Sequence, residues 1–253
     1  MKVLILATHS DTTNLLINSL KNKFELEIVF EDSVSKLVFW KRRFNKLGIF
    51  RTLNQILFLL FIQILKPFFL KNKFSYFESK QFSLTLNNDI KINNVDSINT
   101  DKSIKLISSI EADIILINGT RIVSKKLLDS VEKSFINIHC GITPKYRGVH
   151  GGYWAAYHRD FENLGVTIHE VDKGVDTGDI LFQGNVSYSE DLNYFLYPLK
   201  QYSIAIPELI SILERLHDDG ILRTFHRNDL PSKLWYHPTL TGYLYGLIFK
   251  GIK

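Results

Sequence analysis

Two stretches of this chain concentrate side chains that can donate, accept or move protons. In Phe135-Ile136-Asn137-Ile138-His139 an amide and an imidazole stand two residues apart. Strand side chains alternate with period two, so as a strand this run puts Asn137 and His139 on one face. The second stretch, Gly165-Val166-Thr167-Ile168-His169-Glu170-Val171, leads into Asp172-Lys173-Gly174-Val175-Asp176-Thr177-Gly178-Asp179. Two glycines and four acidic or hydroxyl side chains there make a constrained turn that can present Asp176 inward. Amide, imidazole and carboxylate brought together would supply fixed donors to a developing negative charge and an acid/base group. Taken singly, each has a plainer reading: Asn137 bonded to neighbouring backbone, His139 a satisfied core residue. Cys140 directly follows His139, so it faces the other way and reads as a buried, inert thiol. His139, Cys140, His150 and His158 do not have metal-ligand spacing, and no metal is expected.

The elements that must position these groups follow from hydrophobic pattern. Val3 to Ala7 is a short apolar run, Thr8-His9-Ser10-Asp11-Thr12-Thr13 a polar loop, and Leu15, Leu16 and Leu20 recur at helical spacing. Glu25 to Phe30 alternates as a second strand, which gives a βαβ opening. Lys102 to Ile110 predicts a helix, and Asp113 to Asn118 a strand buried on both faces of a parallel sheet. Gly119-Thr120-Arg121 then lies at that strand's carboxyl end, the edge where open α/β sheets bind ligands. Ser124 to Val131 predicts a helix, Phe135 to His139, Gly165 to Val171 and Ile180 to Gln183 strands, and Tyr194 to Leu216 a helix before an aromatic tail at Trp235, Tyr236, Tyr243 and Tyr245. The expected fold is α/β: a Rossmann-like open, mostly parallel sheet with helices on both faces, a basic aromatic helical insert at about 37–77 and a short C-terminal extension. The main domain is expected over 1–200, with a C-terminal helix and extension over 201–253.

Bulk properties narrow the class. A chain of 253 residues, 45% hydrophobic and 23% charged, is an ordinary globular composition near the upper size of one domain. One cysteine permits no internal disulfide, and the apolar run at Met1 to Ala7 is too short for a secretory signal, so a reducing cytoplasm is the expected location. The net charge of +5 arises from Lys41, Arg42, Arg43, Lys46, Arg51, Lys66, Lys71 and Lys73, in a stretch without acidic residues, while the rest of the chain is slightly acidic. That distribution argues against a nucleic-acid-coated surface and localises any attraction for phosphate or anionic lipid to the insert. A membrane-spanning helix needs roughly 20 predominantly apolar residues, and Gln63, Lys66 and Pro67 interrupt this run, so no transmembrane segment is expected. Two readings of the insert stand open: a helix pair packed into the core or a homodimer interface, and an interfacial helix resting peripherally on the inner face of a membrane.

In order and spacing, Asn137-Ile138-His139, Pro144, Tyr146, Arg147-Gly148, Gly165 to His169 and Asp176-Thr177-Gly178-Asp179-Ile180 resemble the N10-formyltetrahydrofolate-dependent formyltransferase family, most of all its amino-sugar N-formyltransferases. The resemblance is clearest from Asp113 to Gln183, extends back to Met1 and leaves the insert and the tail unexplained. It implies a catalytic trio of Asn137, His139 and Asp176, N10-formyltetrahydrofolate as co-substrate, and no metal. It also implies that backbone groups hold the pterin at Asn118, Gly119, Thr120, Arg121 and Ile122 and in the loop of Val171 and Gly174, with His169 lining that pocket or supporting Asp176. Substrate contacts are expected at Thr8, Ser10, Tyr146 and Arg147. Formyl transfer to an amine passes through a tetrahedral species bearing negative charge on the formyl oxygen, and one fixed donor aimed at it is typically worth about 2.7 to 4 kcal/mol.

Family members commonly read Asn-Ile-His-Pro-Ser-Leu-Leu-Pro where this chain has Cys140-Gly141-Ile142-Thr143-Pro144 after His139, a departure that bears on the acceptor. Only about 70 residues follow Gln183, against the sizeable C-terminal domain of methionyl-tRNA formyltransferases. The first loop lacks the glycines that let glycinamide ribonucleotide formyltransferases approach a phosphate. The expected acceptor is therefore a small-molecule amino sugar on a nucleotide or lipid-linked glycan of surface polysaccharide such as O-antigen. A phosphoribosylglycinamide formyltransferase-like enzyme and a catalytically silent membrane-docking relative are the alternatives.

Overall fold

The computed structural model describes residues 1–32, 36–70, 84–85 and 90–253. The last part of the expected insert, including Lys71 and Lys73, lies outside the described residues. Strands β1 (Lys2–Ala7), β2 (Glu25–Glu31), β3 (Lys91–Val95), β4 (Ile114–Asn118), β5 (Phe135–His139), β7 (Gly165–Glu170) and β8 (Ile180–Asn185) form one sheet in the order β3-β2-β1-β4-β5-β7-β8. The first five are parallel, and β7 and β8 are antiparallel additions beside β5. β6 (Arg147–Gly148), followed by helix α6 (Gly151–Tyr157), and β9 (Leu234–Trp235) pair separately.

Val3 to Ala7 and Ile114 to Asn118 are buried throughout because helices cover both faces of the sheet. On one face, helix α1 (Asp11–Leu20) contributes Leu15, Leu16 and Leu20 and helix α7 (Leu196–Asp219) contributes Tyr202, Ala205, Ile206 and Leu209 to one core with Val3 and Ile5. On the other, α4 (Asp101–Ser109) and α5 (Lys125–Asp129) pack Ile104, Ile107 and Leu127 against Leu4, Leu6 and Ile115. Ser10, Thr100 and Ser124 cap the amino ends of α1, α4 and α5 by accepting a backbone N–H, where such a residue is typically worth ~1 kcal/mol. The boundary expected at residue 200 falls inside α7, whose apolar stripe belongs to the main core.

The insert is a pair of helices, α2 (Lys36–Leu47) and α3 (Ile49–Phe69). Pro67 does not stop α3, since it falls in the last turn. The helix is 21 residues long and, by length and composition alone, is long and apolar enough to cross a membrane. Thr52, Gln55, Phe58 and Ile62 form its buried face. There Phe58 and Ile62 join a second core with Tyr146, Tyr153, Tyr194 and Tyr243, the last on helix α8 (Leu240–Lys250). β3 was not legible beforehand, because Lys-Ile-Asn-Asn-Val lacks apolar alternation. It is an edge strand held by its backbone register with β2 and by Glu27, which accepts from Lys91 at 2.8 Å and from Asn93 at 3.1 Å.

The carboxyl end of β4 is tied to α7 by a hydrogen bond from the Tyr202 hydroxyl to Asn118 Oδ1, both buried. Tyr202→Phe strands that oxygen, and a loss of about 1 to 3 kcal/mol is expected in urea unfolding. An unchanged midpoint would show that the bond contributes nothing.

Candidate active site

The site forms where β5 meets β7. Period-two alternation brings Asn137 and His139 to one face, and antiparallel pairing sets His169 directly opposite Asn137. The pairing of β7 with β8 slips between Ile168 and His169, so that Leu181 is passed over, an irregularity of the kind that re-aims neighbouring side chains. The loop after β7 then returns Asp176 over this face. Within it Asp172 accepts from Gly174 N at 2.9 Å and from Thr177 Oγ1 at 2.7 Å. Gly178 is obligatory, because a Cβ there would lie 1.9 Å from the Glu170 carbonyl oxygen. Asp176 itself has φ of +50°, an unusual conformation for a non-glycine residue.

The Asp176 carboxylate is the hub. Its side chain is 13% exposed. Oδ2 accepts from the Gly148 backbone N–H at 2.7 Å and lies 3.4 Å from His139 Nδ1. Oδ1 lies 3.5 Å from Asn137 Nδ2 and 3.6 Å from His169 Nε2. Burial alone would raise its pKa, but the charge of His139, the bond with His169 and the Gly148 N–H outweigh that and hold it at about 2.

Proton positions follow from the partners. His139 Nε2 is 2.6 Å from the Tyr146 carbonyl oxygen, which can only accept, so Nε2 carries a proton and Nδ1 is the nitrogen facing Asp176. His169 Nδ1 is 2.6 Å from the Glu170 carbonyl oxygen and so carries a proton; in the neutral ring Nε2 accepts from Asn137 Nδ2 at 3.2 Å, and it donates to Asp176 only when the ring is charged. Asn137 is half-buried, whereas both nitrogens of His139 turn to protein groups. Gly141 makes room for this: a Cβ there would lie 2.4 Å from the Tyr146 oxygen and 2.8 Å from His139 Nε2. The departure at Cys140-Gly141 thus lies against the imidazole anchor. The Cys140 thiol is pushed up to about 12, first by burial and then by Asp176, in line with the inert role expected.

The remaining expected positions divide. Asn118 is a core residue, its amide donating to Thr13 Oγ1 at 2.9 Å and its carbonyl accepting from Thr8 N at 3.2 Å. The Gly119 carbonyl accepts from Thr8 Oγ1 at 3.1 Å, the Thr120 hydroxyl donates to the Arg121 carbonyl at 3.0 Å, and the Ile122 carbonyl accepts from Asn99 at 3.0 Å. Arg121 is an anchor: its N–H and its guanidinium bind the buried Glu31 at 2.9 and 2.8 Å. Val171 N is taken by the Phe135 carbonyl at 2.7 Å. Ser10 is a helix cap, with Thr13 N at 3.1 Å. Tyr146 corrects the expectation most: its ring is buried and stacked on Trp235, and its hydroxyl donates to Asp160 at 2.7 Å. Only its backbone carbonyl reaches the site. Arg147 donates to the Val175 carbonyl at 3.1 Å and so braces the Asp176 loop. Neither the Gly148 N–H nor the Tyr146 carbonyl, both backbone groups, leaves a side-chain signal in sequence. Among the described residues no His, Cys, Asp and Glu cluster could hold a metal ion.

Residues 74–193, which contain this cluster, match the family described as formyl transferase. Over that segment, 120 of the 253 residues, the chain is similar to formyl transferases. Among curated proteins, the methionyl-tRNA formyltransferase of Agathobacter rectalis is 35% identical over 107 residues, 42% of this chain and 34% of that protein. The chain therefore spans about a third of that relative's length. Among solved structures, the N-formyltransferase from Helicobacter canadensis in complex with folinic acid and dTDP-3-aminofucose superposes with a TM-score of 0.56 at 18% identity, covering 93% of this chain and 71% of that one. The phosphoribosylglycinamide formyltransferase from Bacillus halodurans superposes with a TM-score of 0.55 at 20% identity, covering 89% and 100%. At such identities these likenesses show the shared fold of the formyl transferase domain.

Asp176 also makes the site's stability depend on acid. Its folded pKa is depressed from 3.8 to about 2, so its contribution is present above 3.8 and lost as pH falls through about 2. Nearly two units correspond to roughly 2 kcal/mol. The unfolding free energies of the wild type and Asp176→Asn are expected to converge by about that amount between pH 4 and 2. Parallel profiles would mean that Asp176 is not held by these partners.

Proposed function

We propose that the protein transfers the formyl group of N10-formyltetrahydrofolate to the amine of an amino sugar carried on a nucleotide or a lipid-linked glycan. The observation that carries this reading is the convergence of Asn137, His139 and Asp176 on one sheet edge within a segment similar to formyl transferases. The half-buried Asn137 amide, whose Nδ2 reaches His169 Nε2 and Asp176 Oδ1 in the ligand-free protein, would turn one N–H to the formyl oxygen. Peptide groups of the loops at 119–122 and 171–174 that are left without an internal partner would hold the pterin. That the Helicobacter canadensis enzyme was solved with folinic acid and dTDP-3-aminofucose supports both halves of the assignment.

The low pKa of Asp176 decides how the proton moves. A carboxylate at about 2 takes a proton at pH 7 only at a cost of about 7 kcal/mol. Asp176 is therefore a fixed negative charge that stabilises positive charge on His139 or on the attacking amine. The amine's proton leaves through His139 Nδ1 or a water beside it, and N10 gains one as its bond to the formyl carbon breaks. Asn137→Ala and Asp176→Ala are each expected to lower kcat about a hundredfold or more with the fold intact. The assay follows tetrahydrofolate release with nucleotide-linked 3-amino and 4-amino sugars, and with initiator methionyl-tRNA because the curated relatives act under that name. Turnover on the tRNA alone would overturn the sugar assignment.

The insert supports a site of action at the cytoplasmic face of a membrane. Phe50, Leu53, Leu57, Leu60, Ile64 and Phe68 form an exposed apolar stripe along α3, opposite its packed face. Exposed Lys41, Arg42 and Lys46 on α2 and Arg51 and Lys66 on α3 make the insert strongly basic. A second copy docked on the same stripe would bring two basic inserts together, whereas an anionic lipid surface complements them. The wild type is expected to sediment with vesicles containing phosphatidylserine, and a variant with Leu57, Leu60 and Ile64 changed to serine to stay in solution. Dimerisation without vesicle binding would favour the interface reading.

A further inference from the structure

Behind the Asp176 site lies a second polar cluster that the chemistry above does not use, built where the insert meets the C-terminal extension. His150 Nε2 and His237 Nδ1 are 3.0 Å apart, and the Tyr194 hydroxyl is 2.6 Å from His150 Nε2. Arg43 of α2 donates to Gln55 Oε1 at 2.5 Å, and Gln55 in turn donates to the His237 carbonyl at 2.6 Å. The Arg43 guanidinium also lies 4.4 Å from the centre of the Phe39 ring, and Lys46, one turn further along α2, stands 5.3 Å from that of Tyr236.

This cluster is short of negative charge. Arg43 has no carboxylate partner among the described residues, and 36–70 contains no Asp or Glu. Burial, reinforced by Arg43, depresses His150 to about 3 and pushes His237 well below its ordinary value. The imidazole pair is therefore neutral, with one proton lying between the two facing nitrogens. Arg43 and Lys46 supply the positive charge for a multiply charged anion, to which the neutral imidazole pair can add an N–H donor, and a desolvated guanidinium fork is suited to phosphate oxygens. Arg43, His150 and His237 each keep part of their surface exposed.

The cluster is also placed to act on the site. His150 follows Gly148 by two residues, which limits their Cα separation to about 7 Å, and Gly148 N–H holds Asp176. The cluster thus borders the segment that holds Asp176. We infer that Arg43, His150 and His237 bind the diphosphate of the amine-bearing acceptor. This rests on the formyl-transfer reading for its purpose, although not for its chemistry. The diphosphate can belong to a nucleotide or to a polyprenyl lipid.

Calorimetric titration of the full chain with uridine diphosphate, thymidine diphosphate and inorganic pyrophosphate, and with vesicles bearing a polyprenyl diphosphate, tests the site. Saturable binding to at least one probe is expected, weakened about tenfold or more by Arg43→Gln and by His237→Asn. Lys46→Gln, a change at an exposed position, is expected to weaken it by a smaller factor. Binding of folinic acid, measured in the same variants, is expected to be unchanged and reports an intact fold. Loss confined to the lipid probe assigns the diphosphate to a lipid, and loss in solution to a nucleotide. If no probe binds, or if both Arg43→Gln and His237→Asn bind as the wild type does, the inference is overturned. Folinic acid binding that survives while diphosphate binding is absent would refute this site alone. Diphosphate binding without formyl transfer to any amine would instead remove the proposed function.

Discussion

The structure around the site depends on keeping one carboxylate charged in a largely buried position. Left alone there, Asp176 would protonate, since desolvation penalises its charged form. Contacts from four groups on three strands prevent this: Asn137 and His139 on β5, His169 on β7, and the Gly148 peptide on β6. Each satisfies the carboxylate only if its own strand is correctly registered. The register of β5 against β7, the irregularity at Ile168 and His169 and the tight loop at Gly178 are thus constraints of the same interaction. A loop held in this way can maintain a positive φ at Asp176 that it would not adopt unaided.

The same reasoning separates residues that act from residues that hold. Tyr146 and Arg147 both looked like substrate ligands, yet one contributes its carbonyl to orient His139 and the other clamps the Val175 carbonyl. Tyr202 and Asn118 likewise stiffen the carboxyl end of β4 from beneath. A polar side chain beside an active site is often there to fix the backbone on which the acting groups stand. Here the distinction is read from what each donor reaches.

Much of this was legible in sequence because it is local. Phe135 to His139 forms a strand with the bounds that its pattern predicts, and the glycine and aspartate spacing of residues 172 to 179 does turn Asp176 inward. The mostly parallel sheet followed from a βαβ opening and a strand buried on both faces. What escaped was either backbone or distant in the chain. The Gly148 N–H and the Tyr146 carbonyl have no side-chain signature. β3 pairs through peptide groups beneath an unpatterned sequence, and Arg43 meets His237 only because two helices and a tail fold together.

The insert shows why a matched family segment does not delimit a working unit. α3 and α8 lie outside residues 74–193, yet Phe58, Tyr153 and Tyr243 share one aromatic core with Tyr146. Trp235 stacks on that Tyr146 ring, donates to the Lys145 carbonyl at 3.0 Å and pairs in register with Gly148. Both backbone groups that hold His139 and Asp176, the Tyr146 carbonyl and the Gly148 N–H, are therefore positioned by residues from the insert and tail. Interiors are close-packed and transmit displacement rather than absorb it. Phe58 and Ile62 of α3 thus belong to the packing that backs these two anchors, and the insert is structurally continuous with the site that it borders.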